Sequence, residues 1–135
     1  MPITKGCKAL VEEARTRIET LSAEAAKVLL DDPGVQFVDL RDVRELERDG
    51  MIPGAFHAPR GMLEFWVDPA SPYFKEVFGS GRRFVFYCAS GWRSALATAA
   101  VQDMGLEPVC HIDGGFSGWK ATGGPVAQRA AHPHG

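Results

Sequence analysis

The residues most able to do chemistry in this chain lie in one stretch, Phe84-Val-Phe-Tyr-Cys88-Ala-Ser-Gly-Trp-Arg93-Ser94, which runs on through alanines to Ala100. An apolar run after Arg82-Arg83 reads as a strand, it breaks at Cys88, and the alanine-rich continuation reads as a helix. Strand, tight loop and helix aim backbone N–H groups and a helix N-terminus at one point. The side chain at that point is a thiol, and the positive end of a helix dipole favours its thiolate, the nucleophilic form. The expectation is a nucleophilic Cys88 in an anion cradle made of Ala89, Ser90, Gly91, Trp92, Arg93 and Ser94. Gly91 allows a turn that a Cβ would obstruct. Arg93 adds a permanent charge able to attract an anionic ligand. Trp92 is either the mouth of the pocket or an exposed packing residue. Phosphate, arsenate and sulfur compounds all fit this description.

Asp39, Arg41 and Glu45 are a second group, a carboxylate and guanidinium set that invites a catalytic reading. The simpler expectation is an ionic clasp tying a strand end to the next helical turn. His57 could serve as a base, but a lone histidine beside a strand is more often a satisfied structural group. Cys7 and Cys110 read as buried packing thiols, with Cys110 also open as a resolving partner of Cys88. His132 and His134 are too loosely placed to make a metal site.

The elements that position these groups fit one domain. The chain has 135 residues, 45% hydrophobic and 24% charged, with a formal charge of -2, as in a globular protein. No face is rich in Lys and Arg with interleaved aromatics, which argues against nucleic acid as a partner. No apolar run approaches the roughly 20 residues that span a bilayer, so no membrane association is expected. Three cysteines without a CxxC pair suggest neither a disulfide framework nor zinc, and a reducing cytoplasm is the expected setting.

In order, residues 4–20 read as an amphipathic helix, with Cys7, Leu10, Val11, Ala14, Ile18 and Leu21 spaced by three and four. Ser22 caps a short helix over 23–30. Strands follow at 35–40 and 56–58, then helical turns at 61–67 and 72–78, the latter with Ser71 as cap and Pro72 at its first position. A strand at 83–87, a helix at 94–104 facing the sheet with Leu96, Ala99, Ala100, Val101 and Met104, a strand at 107–112 and a last helix after Gly114-Gly115 complete the domain. Strands alternating with helices predict an α/β fold, a largely parallel sheet flanked by helices on both faces. In such sheets the reactive loops lie at the carboxyl ends of the strands, where Asp39, Arg41 and Cys88 all fall.

Four pieces in order, Phe37-Val-Asp-Leu-Arg41 with Glu45, Gly50-Met-Ile-Pro-Gly-Ala55, Tyr87-Cys-Ala-Ser-Gly-Trp-Arg-Ser94 and Gly114-Gly-Phe-Ser-Gly-Trp119, resemble the rhodanese, or single-domain sulfurtransferase, family. Met51 departs from the histidine usual at that position. The resemblance implies a single rhodanese-like domain over 21–122; residues 1–20, helical by their spacing, extend it, and 123–135, which show no periodicity, read as a flexible tail. The resemblance also implies a reaction without a cofactor. Sulfane sulfur moves from thiosulfate or a persulfide onto Cys88 and then to a thiol, a cyanide-like acceptor or a protein acceptor. Cysteine phosphatases resemble this loop but hold one more residue between Cys and Arg than the four here. Phosphatase, arsenate reductase and a binding or sensing module without turnover stand as the alternatives.

Overall fold

The computed structural model describes residues 2–129. The chain runs α1 (Cys7–Arg15), β1 (Glu19–Leu21), α2 (Ala23–Val28), β2 (Val35–Asp39), α3 (Val43–Asp49), β3 (Phe56–His57), α4 (Leu63–Val67), β4 (Arg83–Tyr87), α5 (Trp92–Asp103), β5 (Val109–Ile112) and α6 (Gly115–Ala121). Short 3₁₀ turns at Arg60–Met62 and Glu76–Gly79 flank α4 and precede β4.

Among the described residues the five strands form one parallel sheet in the order β1-β5-β4-β2-β3. The chain leaves β2 towards β3 on one side and leaves β4 towards β5 on the other. The carboxyl ends of β2 and β4 therefore flank the point where the winding reverses, the crevice in which open α/β sheets bind ligands. Asp39 ends β2, and Cys88 follows the last residue of β4.

Strand alternation sends side chains to two cores. Val38, Leu40, Phe84 and Phe86 pack with Leu63, Val67, Ala97 and Val101 of α4 and α5. Phe37, Val85, Tyr87, Cys110 and Ile112 pack with Ala23 and Ala26 of α2 and with Phe116 and Trp119 of α6. Helices thus cover both faces, as the sequence predicts.

The chain departs from its sequence expectations in a few places. The helix expected over 4–20 ends at Arg15, where the Thr16 hydroxyl donates to the Glu13 carbonyl at 2.7 Å. Residues Glu19–Leu21 instead form β1, because the open edge of β5 offers Thr20 and its neighbours a hydrogen-bonded register with Cys110–Ile112. Cys7, expected to pack, is exposed, and so in part is Leu10 at 42%. Ser71 does not begin a helix. Its hydroxyl accepts from the Tyr73 N–H at 3.0 Å in a turn, and helical geometry appears only at Glu76. Met104 is 43% exposed rather than turned to the sheet, since α5 stops at Asp103 and Gly105 reverses the chain with φ 101°.

The tail expected to be flexible from Gly123 is held along its described length. Pro125 accepts a 2.8 Å bond from the Trp119 indole, and Ala127 exchanges backbone bonds with Met51 at 2.8 and 2.9 Å. His132 and His134 lie outside the described residues.

Candidate active site

Cys88 is 1% exposed. Its Sγ receives the backbone N–H of Gly91 at 3.2 Å and that of Ser94 at 3.4 Å. Both amides can turn inward because Gly91 adopts φ 107°, a left-handed conformation that L side chains rarely take, and caps the N-terminus of α5. The Ser94 hydroxyl lies 3.6 Å from the same sulfur. Two backbone donors and one hydroxyl converge on one thiol, a set suited to a diffuse sulfur anion.

The loop is held from below by α6. Phe116 N–H donates to the Cys88 carbonyl at 2.8 Å and Ser117 N–H to the Ala89 carbonyl at 3.1 Å. This contact requires glycine at 115. There φ is +57°, and a Cβ would come within 2.5 Å of the Cys88 oxygen and 2.8 Å of Ala89. Ser90 and Trp92 are exposed on the outside of the loop, Trp92 at 48%.

Arg93 is held and raised by Glu45, and it stands close enough to the Cys88 thiol to be raised by that as well. Its two terminal nitrogens bind Glu45 at 2.9 and 3.0 Å, so the guanidinium braces α5 to α3 and has a carboxylate partner. The bond from Arg93 holds the Glu45 carboxyl below the usual carboxylate range, and the same bond raises Arg93. Glu45 also accepts from Asp42 N–H at 2.9 Å, completing a capping box at the start of α3. The expected clasp therefore divides. Asp39 and Arg41 form it, with bonds of 3.0 and 2.7 Å to the guanidinium, while Glu45 stands outside it and serves Arg93.

Arg41 is buried to 1% exposure, donates to the Gly50 carbonyl at 2.7 Å and stacks on Phe116 with 4.4 Å to the ring centroid. Beneath it, Tyr87 accepts from Ile52 N–H at 3.0 Å through its hydroxyl, and burial raises the phenol. His57 Nε2–H donates to the Arg41 carbonyl at 2.7 Å, a structural position. A cavity of about 350 Å³ opens beside the loop, lined by Arg41, Asp49, Ala89, Phe116, Ser117 and Lys120.

Cys110 stands apart from this site. It pairs with Val85 in the β4–β5 register, on the sheet face opposite His111, and its Sγ lies 3.7 Å from the Phe84 carbonyl. Cys88 is three residues beyond that level, or roughly 10 Å along the strand, too far for a disulfide. Burial pushes the Cys110 thiol up to about 12.

Two residues near the thiol escape sequence reasoning. His111 Nδ1 lies 2.9 Å from the Ser94 hydroxyl, and its Nε2 lies 3.0 Å from the Thr20 hydroxyl. The available signal was a polar residue inside an otherwise apolar run, Val109-Cys-His-Ile112.

Residues 22–122 match the model of the rhodanese-like domain. The chain belongs to the rhodanese-like domain family. Among its solved relatives is a Rhodopseudomonas palustris protein of unknown function described as a possible tyrosine phosphatase. It is 54% identical, with a TM-score of 0.91 over 94% of this chain and 98% of that one. The polysulfide-sulfur transferase homodimer of Wolinella succinogenes is 29% identical, with a TM-score of 0.68 over 94% and 90% of the two chains. The tRNA uridine(34) hydroxylase of Cronobacter sakazakii is 31% identical over 98 residues, which are 73% of this chain and 27% of that protein. This rhodanese-like chain thus spans about a quarter of the length of the curated relatives it matches. Among the described residues no helix is long and apolar enough to cross a membrane.

Proposed function

We propose that this protein is a sulfurtransferase that carries sulfane sulfur on Cys88, taking it from thiosulfate or a persulfide and delivering it to a thiophilic acceptor. The observation that carries the reading is the pair of amides on Sγ, from Gly91 and Ser94, in a loop whose arginine is already engaged by Glu45. The Cys88 thiolate attacks the sulfane sulfur of thiosulfate. The bond between that sulfur and the sulfonate sulfur breaks, and sulfite leaves with the electron pair. The resulting persulfide keeps its negative charge on sulfur, where backbone donors stabilise it without a proton-transfer residue. An acceptor thiolate or cyanide then attacks the outer sulfur and returns Cys88 as a thiolate.

The likeness to the Wolinella polysulfide-sulfur transferase over nearly the whole length of both chains supports this reading. A phosphatase reading is suggested for the Rhodopseudomonas relative. It calls for a guanidinium on the substrate oxyanion, and the bidentate bond of Arg93 to Glu45 favours sulfur instead.

Intact-mass measurement before and after treatment with thiosulfate or a low-molecular persulfide tests the proposal. The expected result is a gain of one sulfur atom that is absent in Cys88→Ser. A chain that gains no sulfur from either donor would instead be a binding or sensing module.

A further inference from the structure

His111 is fully buried and has no part in sulfur transfer as described, yet both of its ring nitrogens are engaged. Sheet register explains the arrangement. His111 pairs with Phe86 on one side and Thr20 on the other, so the three side chains share the face covered by α5. Cys88, two residues beyond Phe86, projects to the same face. Ser94, in the first turn of α5, closes the gap between Sγ at 3.6 Å and Nδ1 at 2.9 Å. The result is an unbroken line from Cys88 through Ser94 and His111 to Thr20, from a buried thiol to a half-buried hydroxyl on the edge strand.

A hydroxyl and a neutral imidazole can each donate and accept, so the line has two self-consistent polarities. In the first, the Cys88 thiol donates to Ser94 Oγ, the Ser94 hydroxyl to Nδ1, and Nε2–H to Thr20. In the second, Thr20 donates to Nε2, Nδ1–H to Ser94, and the Ser94 hydroxyl to the Cys88 thiolate. Passing from the first to the second moves one proton along each link. The thiol proton goes to Ser94, the serine proton to Nδ1 and the Nε2 proton to Thr20. Thr20 releases its former proton to water, leaving one negative charge on sulfur.

We propose that Ser94, His111 and Thr20 form a proton exit line from Cys88, in which His111 is the positioning residue that turns Ser94 into a donor to the thiolate. The imidazole is neutral at both ends of the exchange. That agrees with its burial, which lowers His111 to about 4. The charged groups that act on it are Arg15 of α1 and Asp113 beyond β5, which pair with each other at 3.3 Å. The inference takes from the proposed function only that Cys88 is the working group.

Two measurements on the full chain, in a Cys7→Ser background, test the line without any sulfur donor. Nitrogen NMR of His111 should show the Nε2–H tautomer while Cys88 is a thiol and the Nδ1–H tautomer once it is a thiolate, with no such exchange in Cys88→Ser. One unchanging tautomer overturns the proposal. Ultraviolet thiolate absorbance against pH should show roughly tenfold less thiolate in Ser94→Ala and in His111→Leu at pH values where ionisation is partial, since a bond to a charged group is lost. The double variant should be no worse than either single one, and His111→Asn, which can replace Nδ1–H, should recover most of the loss. A His111→Leu profile equal to the parent, or additive losses, overturns it. Failure of sulfur uptake would leave these readouts intact, and an unchanged tautomer would leave sulfur uptake intact.

Discussion

Cys88 and Cys110 are buried thiols on neighbouring strands of one sheet, and they differ in what surrounds the sulfur. Cys110 lies within β5, where the amides around it belong to the ladder, and its Sγ meets the Phe84 carbonyl, an acceptor that offers nothing to an anion. Burial then raises it to about 12. Cys88 follows the last residue of β4, where the ladder ends and the amides of Gly91 and Ser94 are released to the sulfur. Burial alone makes a thiol inert. The end of a strand beside a helix N-terminus gives it donors.

The contrast can be broken most severely at Gly115. Gly115→Ala forces a Cβ against the Cys88 and Ala89 backbone in a left-handed conformation that itself costs about 1–2 kcal/mol. The loop must shift, and sulfur uptake by Cys88 should fall at least tenfold while the far-ultraviolet circular dichroism is retained. Uptake at the parental rate would show that the amide geometry on Sγ is dispensable.

A smaller effect lies in pH. His111 falls from an ordinary 6.5 to about 4 in the fold because burial disfavours its charged form. The unfolded chain therefore binds a proton in the window between these values, and the fold does not. The stability that follows, roughly 3 kcal/mol, is complete above 6.5 and is lost as pH falls towards 4. Denaturant titrations across that window should show a drop that is largely absent in His111→Leu. A parallel drop in both would show that the burial of His111 does not set the acid sensitivity in this window, since the Glu45–Arg93 bond is lost only at lower pH.

The smallest effect belongs to the other thiol. Cys110→Ala should cost about 1 kcal/mol of unfolding free energy, as one buried group is lost, and leave the rate of sulfur uptake unchanged. A loss of uptake would mean that the two thiols communicate.

The sheet, its two helical layers and the position of Cys88 were legible because apolar runs and alanine periodicity dominate those segments. The segment 16–21 was not, since no Gly or Pro interrupts its helical spacing and only the vacant edge of β5 selects a strand. The line from Thr20 to Cys88 is invisible for the same reason, because a Thr20 on a helix has no reason to face His111. Glu45 reads from the sequence as part of the carboxylate and guanidinium set with Asp39 and Arg41. The Asp42-x-x-Glu45 spacing, a capping box, pointed to its role in α3, but nothing local announces that Arg93, 48 residues on, completes its bonds. From Gly123, glycine and proline suggest a loose tail, whereas in the described part Ala127 bridges to Met51, a distant turn that nothing local announces.

That bridge has a further consequence. Ala127 clamps Met51, Val126 packs beside Gly50, and Gly50 holds the Arg41 guanidinium that lies under Phe116. A continuous set of contacts thus joins residues 126–127 to the floor of the thiol loop. Transient detachment of this strap would free the Met51 and Ala127 amides to hydrogen exchange together and would loosen Arg41 in the same event. The dynamics of residues 125–127 are thereby coupled to the support of the site.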